Sequence, residues 1–286
     1  MLSIPPNFTT SPARSRYARV LSIAGSDSGG GAGIQADLKT CAALGCYGMT
    51  AITALTAQNT LGVRSIHAVP AAMLRDQIAA VIEDIGVDAV KIGMLHAPEI
   101  VQVVADALRE YRLQQVVLDP VMVATSGDRL IAEETVSVLV QALFPLATVV
   151  TPNLDEAALL IGRPVRSSED LELAAQELLT LGAPSVLLKG GHLPGDKIED
   201  LLVERSGASQ RWTAARIPSR NVHGTGCTLS SAIACYLALG EPLAEAIAKA
   251  RQYILGAISA GAAVQTGRGH GPLNHGHAPL VQHILR

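Results

Sequence analysis

Short apolar runs alternate with helix-length amphipathic stretches from Val20 onward, and this alternation constrains the chain more than any other feature. Strands are expected over 20–25, 50–57, 89–95, 115–122, 147–153 and 185–191, with two further candidates over 199–204 and 210–217. Helical spacing falls between them, over 34–44, 71–85, 98–111, 135–143, 154–161 and 170–181, and two closing helices start at Thr225 and Pro242. Strands joined by helix-length crossovers imply βαβ units and a mostly parallel sheet. The expected fold class is therefore α/β, a three-layer α/β/α sandwich. Two Phe and one Trp in 286 residues, against abundant Ala, Leu, Val and Gly, suit parallel strands covered closely on both faces. No stretch between elements has a linker's length or composition, so residues 19–286 are expected to form a single domain. Residues 1–18, rich in Ser, Thr, Pro and Arg, are expected to be a disordered tail.

The net charge of −3 gives no whole-molecule attraction for nucleic acid or an anionic membrane. A phosphate ligand would need positive charge gathered locally. No apolar run approaches the ~20 residues of a membrane span. The four cysteines, Cys41, Cys46, Cys227 and Cys235, form no C-x-x-C pair, and the first residues do not read as a secretory signal. A reduced, cytoplasmic protein is the expectation.

Polar segments sit at the strand ends, where open α/β sheets bind ligands, and they should converge on one crevice. In "NVHGTGCTLSSAI" (221–233), Gly224, Thr225 and Gly226 turn the backbone at a helix start, where unpaired N–H groups and the helix dipole form an anion hole. The plainer alternative is a glycine-rich helix start capped by Thr225 or Thr228. Cys227 stands in that hole, so its thiol pKa is expected to fall, fitting it to take a proton from an attacking hydroxyl. Cys41, Cys46 and Cys235 read as small buried apolar residues.

"AGSDSGGGAGIQAD" (24–37) fits no G-x-G-x-x-G register, and the chain has no G-x-x-x-x-G-K-[ST] motif. The loop is better suited to laying bare backbone against a flat ligand, with Asp27 and Asp37 as polar anchors. Gln58 and Asn59 offer donor and acceptor together to a heteroaromatic edge, or serve as turn chemistry at a strand end. Asn153 and Glu156 lie on one face of a helix start. They are either a capping box or a pair ordering the waters of a phosphate-bound Mg²⁺, with Asp119 as a second oxygen ligand. Lys189 closes an apolar strand, where its charge calls for an anion such as a nucleotide phosphate. His270, His275 and His277 lack a carboxylate or Cys to complete a metal site and read as solvated or packing residues.

The order of strand-end acids, N-x-x-E, a Lys-Gly-Gly strand end and G-T-G-C at a helix start resembles the ribokinase superfamily. The blocks "IAGSDSGGGAGIQADLKTCAALGCYGMTAITALTAQNT", "KIGML", "DPVMVATSGD", "TPNLDEA", "LLKGGH" and "HGTGCTLSSAIA" look like hydroxymethylpyrimidine/phosphomethylpyrimidine kinases, over about Val20 to His277. The resemblance implies a ribokinase-like sandwich, usually a homodimer. The implied activity is two ATP-dependent phosphorylations of 4-amino-5-hydroxymethyl-2-methylpyrimidine, giving the monophosphate and then the diphosphate. By the same likeness Gln58 reads the pyrimidine, with Gly25, Asp37, Met94 and Val121 lining its pocket. Asn153, Glu156, Lys189 and Asp119 carry over as Mg·ATP residues, and Cys227 stands where most of the superfamily has Asp. Thr125 and Arg268 depart from the pattern, each standing where a Lys is common. A pyridoxal or pyridoxine kinase is the near rival. A dinucleotide dehydrogenase lacks its fingerprint, and a silent ligand sensor has no use for both Cys227 and the Asn153/Glu156 pair.

Overall fold

Val116, Val117 and Leu118 are all fully buried, as expected of a strand enclosed on both faces rather than one open to water on one side. A computed structural model describes residues 15–122, 131–191, 193 and 195–285. The elements run in the order β1 (Arg16–Tyr17), β2 (Arg19–Ala24), α1 (Gly33–Ala43), β3 (Tyr47–Ile52), β4 (Ala54–Asn59), β5 (Gly62–Ala68) and α2 (Ala71–Asp84). Then come β6 (Ala89–Ile92), α3 (Pro98–Glu110), β7 (Val116–Leu118), α4 (Glu133–Leu143), β8 (Val149–Val150), α5 (Leu154–Ile161) and α6 (Ser168–Thr180). The chain closes with β9 (Ser185–Lys189), β10 (Lys197–Glu204), β11 (Ser209–Ala215), α7 (Thr225–Ala238), α8 (Leu243–Gly261) and β12 (Ile284–Leu285).

The main sheet has the order β11-β10-β9-β8-β7-β6-β2-β3. It is parallel from β3 to β9, and β10 and β11 add an antiparallel edge. Successive strand residues feed opposite layers. Leu21, Ile23, Val116, Leu118, Val186 and Leu188 pack with helices α2 to α6, while Val20, Val117 and Leu187 pack with α1, α7 and α8. That division is the three-layer sandwich. The chain leaves β2 for β3 on one side and later returns to β6 on the other, so the loops after β2 and β6 diverge at a switch point where a crevice opens.

The structure corrects three expectations. The single strand over 50–57 is two strands, because Thr53 ends β3 by donating its N–H to Ala24 O (3.0 Å) and its hydroxyl to Met94 O (2.8 Å). Beyond it β4 pairs antiparallel with β5 in a hairpin outside the main sheet. Strand β5 escaped the sequence pattern because most of it is exposed and Arg64, Ser65 and His67 interrupt any apolar run. Arg16 and Tyr17, assigned to the tail, pair with Leu285 and Ile284, and the Tyr17 ring stacks on Tyr47. Residues 1–14 and Thr125 lie outside the described residues.

At the turn from β9 toward β10, a Cβ added at Gly190 would lie 1.9 Å from the Glu199 carbonyl oxygen. That neighbour is backbone held in a strand and cannot swing aside. Gly190→Ala should therefore cost about 2 kcal/mol or more of stability, read as a lowered denaturant midpoint. An unchanged midpoint would show that the β9–β10 junction tolerates displacement.

Candidate active site

Loops at the carboxyl ends of the parallel strands and the first turn of α7 enclose a cleft of about 750 Å³. Gly25, Gln58, Met94, Asp119, Val121, Asn153, Glu156, Lys189 and the run Gly224–Cys227 all line it. The sequence thus put its catalytic, substrate and ATP candidates on the wall, all but one. Asp37 is the exception. It is fully enclosed behind the wall, where its carboxylate accepts from Ser22 Oγ (2.5 Å), Ser231 Oγ (2.7 Å) and Lys91 Nζ (2.9 and 3.0 Å). A carboxylate so engaged is not a contact for a flat ligand.

Asp27 does reach the cleft, yet its oxygens are also engaged. Oδ1 accepts the Gly29 N–H (2.8 Å), and Oδ2 accepts the N–H groups of Gly31 (3.1 Å) and Ala32 (2.9 Å) and meets His223 Nε2 (2.8 Å). Burial alone would raise its pKa; the His223 contact and the Ala32 and Gly29 N–H groups outweigh burial and hold it below the usual carboxylate value. On either side of it, Ser26 and Ser28 stitch the loop to β4. Thr56 Oγ1 donates to Ser26 O (2.8 Å), while Ser28 Oγ donates to Gln58 O (2.7 Å) and accepts the Gln58 N–H (2.8 Å). These serines hold Gln58 at the rim.

Gly224 begins α7 with φ of 85°, a left-handed conformation suited to glycine, and a Cβ there would lie 1.9 Å from Gly31 O. The glycine-rich loop and the helix tip therefore meet backbone to backbone. In the first turn the Thr225 N–H donates to Val222 O (3.3 Å) and the Thr228 N–H to Gly224 O (2.9 Å), which leaves the N–H groups of Gly226 and Cys227 as anion donors at the cleft. A methyl at Gly226 would sit 3.3 Å from Asp119 Oδ2 and 3.4 Å from Lys189 Nζ, which places the Lys189–Asp119 ion pair beside the tip.

Cys227 lies at that tip, but the expected depression of its thiol pKa is overturned. Burial pushes it up to about 11, and Asp37 and Asp119 add to the rise; the Lys91 ammonium and the Gly33 N–H oppose them without prevailing. The dipole argument omitted enclosure, which disfavours a thiolate more than one helix turn favours it. Lys91 is itself fully buried. Its desolvation is outweighed by Asp37, then by Cys227 and Asp119, and it stays charged.

Asp119 Oδ1 accepts from Lys189 Nζ (2.8 Å) and Thr151 Oγ1 (3.1 Å), so the anion that Lys189 meets is a carboxylate. Asn153 and Glu156 form the capping box: Asn153 Oδ1 accepts the Glu156 N–H (2.9 Å), and Glu156 Oε2 accepts the Asn153 N–H (2.8 Å). Burial raises Glu156 to about 7, with Asp119 adding to the rise and Lys189 opposing it. Among the described residues no group of three or more His, Cys, Asp or Glu side chains converges as a metal cage. The donor set of two carboxylates beside a lysine suits a Mg²⁺ that keeps waters and draws its other ligands from phosphates.

Three features of the wall were not read from the sequence. Lys91 heads the "KIGML" block, but within an apolar strand it was given no role of its own. The Asp27–His223 contact spans 196 positions, and local reading does not see it. Ile198, Ile217, Ile254, Leu255 and Ile258 add apolar surface to the cleft lining, from residues that individually look like core. Of the histidines, His275 is buried against Thr228 Oγ1 (3.0 Å) and pushed down to about 4 by burial, and His277 packs on the Tyr253 ring. His270 and Arg268 are exposed.

A family model described as phosphomethylpyrimidine kinase matches residues 27–274. The Geobacter sulfurreducens thiamine biosynthesis bifunctional protein ThiED is 56% identical over 256 residues, covering 90% of this chain and 52% of that protein, so the chain spans about half of that relative. The Rhizobium meliloti hydroxymethylpyrimidine/phosphomethylpyrimidine kinase is 51% identical over 261 residues, covering 91% of this chain and 97% of the relative. Among solved structures, phosphomethylpyrimidine kinase from Clostridium difficile aligns with a TM-score of 0.74 at 44% identity, covering 84% of this chain and 99% of that one. An ADP complex of Bacillus subtilis pyridoxal kinase gives 0.84 at 37% identity, covering 91% and 98%. A match over nearly the whole described chain, on the cleft just described, means that the protein belongs to the phosphomethylpyrimidine kinase family.

Proposed function

We propose that this protein transfers the terminal phosphoryl group of ATP to the hydroxymethyl oxygen of 4-amino-5-hydroxymethyl-2-methylpyrimidine, and then to the resulting monophosphate, in thiamine biosynthesis. The observation that carries this reading is one cleft lined both by the amide-bearing tip of α7 with Lys189 and by Gln58, Met94 and Gly25. The apolar surface of Ile198, Ile254 and Ile258 suits a nucleoside base, and the tip suits the phosphates. The hydroxymethyl oxygen attacks the terminal phosphorus, the bond to the bridging oxygen breaks, and ADP leaves. Charge spread over the transferring group is met by the N–H groups of Gly226 and Cys227 and by the Lys189 ammonium. Mg²⁺ bound with the nucleotide would be held through water by Asp119 and Glu156 and would neutralise phosphate charge. Asp119 then shares Lys189 with the phosphates.

Cys227 takes the proton of the attacking hydroxyl in this scheme. Cys227→Ala should lower kcat at least ~100-fold, as loss of a general base does, with KM for ATP changed little. A thiol held at about 11 is protonated at pH 7 and ionises only as pH rises. The thiolate fraction, and with it kcat, should therefore climb about tenfold per pH unit between pH 7 and 9. Near-normal turnover in Cys227→Ala, or a flat wild-type profile, would remove the base role.

The solved pyridoxal kinases support a second reading, phosphorylation of B6 vitamers. Purified protein with Mg·ATP and hydroxymethylpyrimidine should give mono- and diphosphate by mass, at higher kcat/KM than pyridoxal or pyridoxine. A preference for a B6 vitamer would overturn the first reading. A single domain, a homodimer and a cytoplasmic location complete the proposal. Four unpaired cysteines, and no helix among the described residues long and apolar enough to cross a membrane, agree with the last.

A further inference from the structure

Asp27 and His223 belong to different segments of the cleft wall, and neither is needed for the chemistry above. The Asp27 carboxylate is filled by Gly29, Gly31 and Ala32 N–H groups, and its side-chain partner among the described residues is His223 Nε2 at 2.8 Å. A carboxylate only accepts, so Nε2 carries the proton and donates. His223 is the residue immediately before left-handed Gly224, and its own N–H donates to Gly271 O (3.1 Å). Asp27 N–H in turn accepts a fixed place by donating to Gln35 Oε1 (2.7 Å) on α1.

Where the two loops touch, side chains are excluded. A Cβ at Gly224 would meet Gly31 O at 1.9 Å, and one at Gly31 would meet His223 Cδ2 at 2.5 Å. Main-chain contact of this kind limits how close the loops approach; the Asp27–His223 bond supplies directional attraction between them. Asp27 is only 2% exposed and His223 9%. Burying a carboxylate is costly unless it is fully hydrogen-bonded, and an apolar pair would hold two loops together without that cost. What an apolar pair lacks is a fixed angle and length.

We propose that Asp27 and His223 are a positioning pair that sets the aim of the α7 tip at the transferring phosphoryl group. The pair acts through the backbone of Gly224–Cys227 rather than on substrate. This rests on the kinase reading for its rate consequence but not for its geometry. Phosphoryl transfer depends on alignment, and a displacement near 1 Å costs about 100-fold.

The test uses the full chain with three variants. His223→Leu removes the donor, Asp27→Asn turns an amide NH₂ against backbone N–H groups, and His223→Gln keeps an N–H donor within reach of Asp27. His223→Leu and Asp27→Asn should lower kcat ~10- to 100-fold with KM for ATP and pyrimidine within about threefold, the pattern for a lost transition-state interaction. His223→Gln should restore most of that loss. Hydrogen–deuterium exchange over residues 221–229 should quicken at least tenfold in the first two variants and return toward wild type in the third. Exchange unchanged in His223→Leu would overturn the pair's role, as would a His223→Gln variant as impaired as His223→Leu. Wild-type protein inactive on the pyrimidine, but with the expected exchange changes, would sink the substrate assignment and leave the pair standing.

Discussion

A full positive charge sits at the centre of this molecule with no access to water, and the architecture around the cleft is organised to keep it there. Lys91 projects from β6 to Asp37 on α1, and the same carboxylate collects hydroxyls from Ser22 on β2 and Ser231 on α7. One ion pair thus fixes the register of two helices against two strands. Removing either partner leaves a lone buried charge, a loss of about 3–5 kcal/mol in such cases, whereas replacing both by apolar groups need not destabilise at all. A charge retained in so enclosed a place lies close enough to Cys227 to oppose the rise that burial imposes on the thiol.

The same enclosure explains the state of the other ionisable groups. Burial lifts Cys227 and Glu156, and their carboxylate neighbours add to the effect. Lysines 91 and 189 remain charged because those carboxylates face them. The cleft is therefore lined by a balanced set of charges in which Asp119 and Lys189 satisfy one another. A preformed pair of this kind holds its two charged groups in place without relying on water to orient them.

Much of this was legible in the sequence because it depends on local patterning. Parallel strands covered on both faces, such as Val116–Leu118, show as unbroken apolar runs, and the helices between them show by spacing. The glycine-flanked helix start was legible too, since only a bare residue fits the turn at Gly224. What failed depended on distance in the chain. Asp37 looked like a ligand contact because it follows a glycine-rich loop; its burial by Lys91, 54 positions away, is a tertiary fact. The thiol was expected to ionise readily on the strength of one helix turn, and the surrounding walls reversed the sign. Strand β5 went unseen because it is exposed and polar, so nothing in its composition records its pairing with β4.

That hairpin has one further consequence. It is fastened to the rim by one main-chain bond, from the Ser26 N–H to Ala54 O (2.9 Å), and otherwise by the hydroxyls of Ser26, Ser28 and Thr56 rather than by a ladder. Ladders yield cooperatively, whereas isolated hydroxyl links can break and re-form one by one. The β4–β5 hairpin can accordingly give way by stages at this edge of the cleft while the eight-stranded sheet stays intact, so the opening can widen without any cost to the core.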